Sequence, residues 1–241
     1  MFIHNRLGLL EGTETLLAHE QRLNQVSNNL ANVDTPGYKR EAVTFGEMLY
    51  NANRTHQRVG KALKIRTVQD QGVIQQTGNP LDLAISGDGY FRVQTPAGIR
   101  YTRAGNFQLN NVGQVVTPDG YPLLGEGGPV VVQGEKVEVS REGRFFVDGQ
   151  QINQLPVVSI APNALTKTGE NLYQMAEGAE ETASQEAQIQ QGHLEKSNVN
   201  TVMEMTEMLD LYRSYESQQK MIRASDDLDD LAVRRVGVIN G

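Results

Sequence analysis

Two segments with helical spacing of apolar residues lie at opposite ends of this 241-residue chain, and the sequence between them has a different character. In the first segment, residues 9–33, leucine recurs every seven positions, at Leu9, Leu16, Leu23 and Leu30. In the second, residues 201–235, apolar side chains recur at steps of three, four and seven, at Met205, Leu209, Tyr212, Tyr215 and Ile222. Both spacings predict amphipathic helices, because such positions share one helix face. Neither helix can cover its apolar face alone, so the pattern favours an assembly subunit over an enzyme.

The middle of the chain predicts strands. Short β-like runs occur at 81–85, 90–93, 99–102, 107–109, 115–116, 130–132, 137–139, 145–147 and 156–160. Between them lie pairs such as Asp119-Gly120 and Asp148-Gly149, which tolerate the positive φ angles of tight turns. Strands at this spacing predict an antiparallel all-β domain. The fold class is therefore predicted as α+β, with terminal helices in a coiled coil or bundle and an antiparallel all-β middle domain.

Four parts of the chain follow from these patterns: an N-terminal helix within 1–35, a linker or extended segment at 36–78, a β-rich domain at 79–191 and a C-terminal helix within 192–241. Residues 36–78 show no clear periodicity, and so long a stretch without regular structure is unusual inside a compact domain. We therefore expect a linker that becomes ordered against a partner. For residues 176–191 a short helix and an exposed return strand both remain open.

The ends of the two helices carry their own signals. The first helix is expected to begin near Leu9 and to end at the turn Asp34-Thr35-Pro36-Gly37. Its last turns are rich in asparagine, a poor helix former, at positions 28, 29 and 32. These amides either cap the helix end or bond to neighbouring helices, and the second alternative is favoured because three asparagines without partners would be costly. Thr201 and Glu204 fit a capping box that opens the last helix.

Composition and motifs predict no catalytic, metal or cofactor site. The chain has no cysteine, and its four histidines, His4, His19, His56 and His193, lie in different segments without metal-ligand spacing. It contains no phosphate-binding loop and no Gly-x-Ser-x-Gly nucleophile turn. A net charge of -7 argues against nucleic acid, and no run approaches the ~20 apolar residues of a membrane helix. No secretory signal is recognisable at the N-terminus.

Charge is unevenly distributed along the chain. Residues 35–75 hold seven lysines and arginines against three acidic residues, a local +4, whereas residues 160–241 hold seven against fourteen, a local -7. These segments are either two solvated surfaces of opposite sign, or a basic linker that meets the acidic C-terminal helix of another subunit.

Three parts of the sequence resemble signatures of the bacterial flagellar rod and hook proteins. Residues 27–39, Ser-Asn-Asn-Leu-Ala-Asn-Val-Asp-Thr-Pro-Gly-Tyr-Lys, are similar to the N-terminal signature. Residues 81–85 with 87–91, continued by 101–103 and 105–107, resemble the opening of the β domain. Residues 192–200, Gly-His-Leu-Glu-Lys-Ser-Asn-Val-Asn, with Arg213, Tyr215 and Glu216 beyond them, are similar to the C-terminal signature. Residues 2–7 depart from the usual opening.

The resemblance implies an inner domain of discontinuous terminal helices and a β-rich outer domain. It implies a structural subunit that stacks helically into the axial rod of the basal body, crosses the periplasm and transmits torque for motility. The expected partners are copies of itself, other rod subunits, neighbouring hook-side or base-side axial proteins and the flagellar type III export apparatus, with no cofactor, no nucleic acid and no membrane insertion. Export without a cleaved signal peptide is expected. Motifs and helix stripes predict these subunit-interaction residues: Leu16, Leu23, Val26, Asn28, Asn29, Leu30, Asn32, Pro36, Gly37, Tyr38, Leu194, Glu195, Ser197, Asn198, Val199, Met205, Leu209, Tyr212, Arg213, Tyr215, Glu216 and Ile222.

Within the family, the single compact β body and residues 125–130 are most similar to the proximal rod proteins. A distal rod protein is the alternative, followed by a hook-type axial subunit. A secreted β-rich glycan-binding module belongs to a different class, and it would need aromatic platforms or paired catalytic carboxylates. The chain has no tryptophan and only 6% aromatic residues, which argues against that class.

Overall fold

The computed structural model of the chain describes residues 2–51, 57–184 and 186–238, with side chains described for 13–44, 64–184, 186–228 and 231. The two α-helices are α1, Phe2–Ala31, and α2, Thr201–Val238, and a 3-10 turn spans Pro162–Ala164. The strands lie between the helices, in the order β1 Glu41–Asn51, β2 Gln57–Thr67, β3 Ile74–Gln76, β4 Leu83–Ser86, β5 Phe91–Thr95, β6 Gly98–Thr102, β7 Gln108–Leu109, β8 Val115–Val116, β9 Leu123–Gly125, β10 Gly128–Pro129, β11 Val137–Val139, β12 Arg144–Val147, β13 Gln150–Gln154, β14 Val158–Ser159, β15 Leu165–Gly169, β16 Leu172–Met175, β17 Thr182–Ala183, β18 Gln188–Gln191 and β19 His193–Glu195. This arrangement confirms the α+β class. None of the helices in the described ranges is both long and apolar enough to cross a membrane.

The chain divides into two compact units, each built from segments far apart in sequence. The helical unit contains Met1–Ala31, Glu41–Arg66 and Asn200–Gly241. The β-rich unit contains Asn32–Arg40 and Thr67–Val199. Each unit therefore needs residues from both halves of the sequence, and the segment predicted as a linker, 36–78, is shared between the two.

The helical unit combines α1, α2 and a two-stranded sheet of β1 and β2. Helix α1 begins at Phe2, seven residues before the expected start at Leu9, and ends at Ala31. The expectation of no regular structure after α1 is wrong for β1 and β2, which pair with each other. Two strands can satisfy their backbone groups by pairing without an alternating apolar pattern, so periodicity did not reveal them.

The β-rich unit is built on a six-stranded antiparallel sheet in the order β10-β9-β5-β6-β16-β15, with a three-stranded sheet, β11-β12-β13, beside smaller strand pairs. Residues that alternate along the strands point into an apolar core, and a second buried cluster consists of Tyr90, Tyr101, Val158, Ile160 and Tyr173. The core consists of Leu83, Ile85, Phe91, Phe107, Val115, Leu123, Val130, Val132, Phe145, Val147, Leu155, Val157 and Ile189. Phe91 and Phe107 meet edge to face there, with ring centroids 5.4 Å apart. The antiparallel β domain predicted from the sequence is thus present.

Some strands differ from the prediction. Residues 130–132 form no strand, only an isolated bridge between Val131 and Gln114. Strands β9, β13, β15 and β16 were not predicted, because their sequences are polar or short. The undecided region 176–191 contains β17 and β18, so it is a return strand and not a helix. Its position follows from Ile189, which pairs with Ile85 and is buried in the core.

Two buried tyrosines predict an alkaline limit for the stability of the β-rich unit. Burial raises the pKa of Tyr90 to about 12, and burial with a hydrogen bond to Glu181 raises the pKa of Tyr101 to about 12. Unfolded tyrosines lose their protons near pH ~10, so the folded state binds more protons above that pH. The stability that these two tyrosines contribute should therefore be fully present below pH ~10 and be lost between pH ~10 and ~12. Urea unfolding followed by circular dichroism across this range measures it. Tyr101→Phe should make the decline shallower, and a midpoint that stays constant to pH ~12 would contradict the prediction.

Candidate assembly interface

One face of α2 is covered within the chain. Glu204 and Leu211 are buried on this face, and Tyr215 and Ile222 continue it as half-buried residues. These positions are spaced by seven, four and seven residues, so they form one row along the helix. Helix α1 packs against α2 in the same unit. The covered face therefore includes two of the predicted stripe residues, Tyr215 and Ile222.

A second apolar row of α2 is exposed. Val202, Met205, Leu209 and Tyr212 have exposed fractions of 74%, 49%, 59% and 53%. Their spacing of three, four and three residues places them on one face, about a third of a turn from the buried row. Large apolar side chains in a continuous exposed row are typical of a surface that binds a protein. This row contains the three remaining apolar residues of the predicted stripe.

Helix α1 is joined to its neighbours by polar contacts in its last turns. The Asn29 side chain is fully buried: its Nδ2 donates to the Glu41 carbonyl oxygen (2.9 Å) and to Glu204 Oε2 (3.1 Å), and its Oδ1 accepts from the Glu41 backbone N–H (2.9 Å). Arg22 forms an ion pair with Glu207 at 2.6 Å, and Gln25 donates to the Glu41 carbonyl oxygen. The prediction that the asparagine-rich turn bonds to a neighbouring helix is confirmed for Asn29.

The start of α2 differs from the predicted capping box. The N-cap side chain is Asn200, whose Oδ1 accepts from the Met203 backbone N–H at 3.1 Å. The predicted N-cap, Thr201, is the first helical residue instead. Glu204 is buried in the helical unit, where its Oε2 accepts from Asn29 Nδ2. The capping-box prediction is therefore wrong, because a buried tertiary contact takes the glutamate.

The two family-like signatures meet in the β-rich unit. The Gly37 N–H donates to the Glu195 carbonyl oxygen at 2.8 Å, and Arg40 N–H donates to Asn198 Oδ1 at 2.6 Å. Asn198 Nδ2 in turn donates to the carbonyl oxygens of Val68 (3.0 Å) and Asp70 (2.8 Å). Residues 32–40 and 192–199 are thus bonded to each other, although more than 150 residues separate them in sequence.

A cluster of three buried ionised side chains lies at this meeting point. Lys39, Arg103 and Glu195 are 1%, 4% and 2% exposed. Glu195 Oε1 accepts from Lys39 Nζ at 2.6 Å and from the Gly72 N–H at 2.8 Å, and Glu195 Oε2 lies 3.4 Å from Arg103 Nη1. Burial lowers the pKa of Lys39 from its ordinary value, while Glu195 acts in the opposite direction. We call these three residues the buried ion cluster.

Close backbone approach surrounds the same segment. Gly37 has a φ of 68°, and a Cβ there would lie 2.4 Å from the Ala104 nitrogen. Only glycine fits such a site, for both reasons. Beside it Tyr38 is buried, and Lys167 Nζ lies 3.8 Å from the centre of its ring. The Pro-Gly-Tyr-Lys part of the N-terminal signature is therefore held inside its own chain.

The structure divides the predicted interaction residues into three sets. The buried set is Val26, Asn29, Gly37, Tyr38, Glu195 and Val199. The half-buried set is Leu16, Leu23, Leu30, Asn32, Pro36, Leu194, Ser197, Asn198, Tyr215 and Ile222. The exposed set is Asn28, Met205, Leu209, Tyr212, Arg213 and Glu216. The buried set has contacts within the chain. Contact with another subunit remains a prediction, and the exposed set is the one available for it.

Sequence reasoning did not identify the roles of Lys39, Arg103 and Glu204. Lys39 was counted with the solvated bases of residues 35–75, but it is buried and paired with Glu195. Lys39 and Arg103 do stand in the signature motifs, which is the one signal that could have indicated them. Within the described residues no group of three or more His, Asp and Glu side chains is placed to hold a metal ion.

Comparison with known families gives three matches in chain order. Residues 9–39 match the family described as flagella basal body rod protein. Residues 84–154 match the D1 domain of the flagellar hook proteins FlgE, FlgF and FlgG. Residues 190–235 match the C-terminal part of the flagellar basal body rod proteins of the same three kinds. These ranges cover both helices and the first half of the β-rich unit.

Individual relatives extend the likeness over nearly the whole chain. The FlgF rod protein of Caulobacter vibrioides is 34% identical and covers 96% of this chain and 98% of its own length. The FlgG rod protein of Bacillus subtilis is 33% identical and covers 91% of this chain and 95% of its own. The FlgF rod protein of Rhizobium meliloti is 29% identical over 95% of this chain.

Proposed function

This chain belongs to the flagellar basal-body rod protein family, and from that premise we propose that the exposed apolar row of α2 is the surface on which neighbouring rod subunits pack. The chain is a structural subunit of the flagellar basal body and not an enzyme, and its partners are other axial proteins of the rod. The glycan-binding alternative has no support in this family.

The exposed row carries the proposal. The other face of α2 is used within the chain, where Leu211 is buried and Glu204 bonds to Asn29. Met205, Leu209 and Tyr212 have no comparable cover. About half of each side chain is exposed, so its further burial would contribute about half of the ~1.5–3 kcal/mol of a fully buried apolar side chain. If the exposed rows of neighbouring subunits packed together, the α1–α2 pairs of several subunits would form the bundle or coiled coil predicted from the sequence. The exposed Leu17 of α1 would add apolar surface to the same kind of contact.

The remaining parts of the proposal come from the family resemblance. The subunits stack helically into a rod that crosses the periplasm and transmits torque from motor to hook. They reach that position through the flagellar type III export apparatus, and they contact base-side or hook-side axial proteins at the ends of their own rod segment. The basic segment 35–75 and the acidic segment 160–241 add intersubunit ion pairs. Lys39, Glu181, Glu195 and Glu207 are excepted, because they form ion pairs within the chain.

A FlgF-like, proximal position is preferred to a FlgG-like, distal one. Relatives of both names match this chain at similar identity, 34% and 33%. The FlgF proteins of Caulobacter and Rhizobium, however, cover 96% and 95% of the chain, against 91% for the FlgG protein of Bacillus. Expression in the source organism lacking either its FlgF or its FlgG protein distinguishes the positions. Restored swimming only in cells without FlgF supports the proximal position, and rescue only of cells without FlgG assigns the distal one.

Replacing Leu209 with aspartate tests the proposed interface. Leu209 is 59% exposed, so the isolated subunit should keep its circular dichroism spectrum and melting temperature. A buried unpaired charge in the assembled rod would cost several kcal/mol, so cells with only this variant should lack a complete rod and should not swim. The matched control is Ser214→Asp, which places the same charge at another exposed position of α2. Normal swimming with Leu209→Asp would refute the interface.

A further inference from the structure

The buried ion cluster of Lys39, Arg103 and Glu195 has no part in the proposed packing surface. All three residues belong to the β-rich unit and are almost fully buried. Ionised side chains lose the solvation of water when they are buried, so they need partners in well-defined positions. The cluster also joins three parts of the sequence: residue 39 follows α1, residue 195 precedes α2, and residue 103 follows β6. The free energy of the cluster must therefore depend on how closely these three segments come together.

Both cations of the cluster share one carboxylate, Glu195, and that carboxylate is in place only when residues 192–199 are docked. Arg103 has partners of its own, since Nη2 donates to the Gly87 carbonyl oxygen at 2.7 Å and Nη1 to that of Ile85 at 3.3 Å. Without residues 32–40, Glu195 still faces Arg103. Without residues 192–199, the Lys39 ammonium would keep its hydrogen bonds to the carbonyl oxygens of Gln69 (3.4 Å) and Asp70 (2.8 Å), but it would lie near the Arg103 guanidinium without the Glu195 carboxylate. Like charges in a medium of low dielectric constant repel strongly, so that half-docked state is unfavourable.

Hydrogen bonds of the backbone run through the same residues. Glu195 accepts from Gly37 N–H with its carbonyl oxygen and from Gly72 N–H with its side chain, each at 2.8 Å. Nearby, the Lys196 N–H donates to the Val73 carbonyl oxygen at 2.9 Å, and Gly72 leaves no room for a side chain beside the Lys196 carbonyl oxygen. A displacement of Glu195 would therefore break bonds in both terminal segments at once.

We propose that the buried ion cluster is a two-segment lock, through which residues 32–40 and residues 192–199 dock on the β-rich unit cooperatively. The segments lead directly out of α1 and into α2, so the lock holds the chain entering and leaving the helices side by side. When the cluster is formed, the segment that follows α1 and the segment that precedes α2 are both fixed on the β-rich unit. When it is broken, both segments are released. Its use in rod assembly rests on the proposed function, whereas the lock itself is a property of the free subunit.

Hydrogen exchange of three variants in the isolated subunit tests the lock. The variants are Glu195→Gln, which leaves two cations, Lys39→Met, which leaves the Glu195–Arg103 pair, and the combination of both. The matched controls are Lys136→Met and Glu138→Gln, since Lys136 and Glu138 form an ion pair at the same 2.6 Å but are 73% and 51% exposed. The amides observed are Gly37 for the first segment, Lys196 for the second and Val115 for the core, where Val115 N–H donates to the Val130 carbonyl oxygen.

Glu195→Gln is expected to accelerate exchange at Gly37 and Lys196 together, by at least about tenfold, with Val115 unchanged. Lys39→Met should have a smaller effect than Glu195→Gln. Adding Lys39→Met to Glu195→Gln should restore part of the protection, because it removes one of the two cations that have lost their carboxylate and leaves Arg103 with its carbonyl partners. The exposed controls should change nothing. Acceleration in one segment alone overturns the lock, as does equal acceleration at Val115. If Glu195→Gln does not fold, failure of the double variant to recover folding overturns it too. Assembly plays no part in this measurement, so a wrong rod assignment would leave the result intact.

Discussion

Replacing Gly105 with alanine should strongly destabilise the native fold of the β-rich unit. A Cβ at this position would lie 1.7 Å from the Leu83 carbonyl oxygen and 2.8 Å from its carbonyl carbon, both backbone atoms. The strand β4 would have to move, although the Leu83 N–H donates to the Gly105 carbonyl oxygen at 3.0 Å and Leu83 is in the core. Overpacking against fixed backbone costs ~3 kcal/mol or more, a large part of the stability of a typical domain.

Chemical denaturation of the purified chain measures this effect. The matched control is Gly127→Ala, because an added Cβ at Gly127 would meet only Asn153 side-chain atoms, at ordinary contact distances of 3.7–4.0 Å. Neither glycine has a positive φ, so the two substitutions differ in available space and not in backbone preference. The control should change the unfolding midpoint little. A Gly105→Ala protein as stable as this control would show that β4 can shift without cost.

Replacing Asn29 with leucine should separate α1 from α2 and β1 in the helical unit. Asn29 is fully buried, and its amide makes three hydrogen bonds, one of them to the buried Glu204 carboxylate. Leucine has similar size but leaves the Glu41 N–H and the Glu204 carboxylate without those bonds. Loss of a buried hydrogen bond to a charged group costs roughly 1.5–3 kcal/mol, and the orphaned N–H adds ~1–3 kcal/mol. We expect loss of helical circular dichroism, faster proteolysis of α1 and a strong defect in swimming.

Asn28→Leu provides the comparison, since it makes the same substitution at the neighbouring, exposed position. It should retain the helical spectrum and protease resistance of the parent chain. Equal behaviour of the two variants would mean that the Asn29 contacts contribute little, and that propensity alone determines the end of α1.

Local patterns in the sequence were sufficient for the two helices, for several of the strands and for the fold class. Leucines seven apart at Leu16, Leu23 and Leu30, and the turn at Pro36 and Gly37, predicted α1 because helical spacing and proline geometry act over a few residues. Tight-turn glycines between apolar runs predicted the antiparallel β domain for the same reason. Strands β1 and β2 were not predicted, because their backbone groups are satisfied by pairing with each other and this pairing requires no alternating pattern of apolar side chains.

Which face of α2 is covered by the chain's own contacts was decided only by the tertiary structure. Met205, Leu209 and Tyr212 are more apolar than Glu204, yet they are exposed while Glu204 is buried against Asn29. Lys39 likewise looked like a solvated base, but Glu195, 156 positions away, gives it a buried partner. Spacing along the chain reports which side chains share a helix face, whereas the free energy of burying a charge depends on partners brought together by distant segments. The sequence by itself therefore determined the helices, the β class and the family, and only the fold determined which polar residues hold the two signatures together.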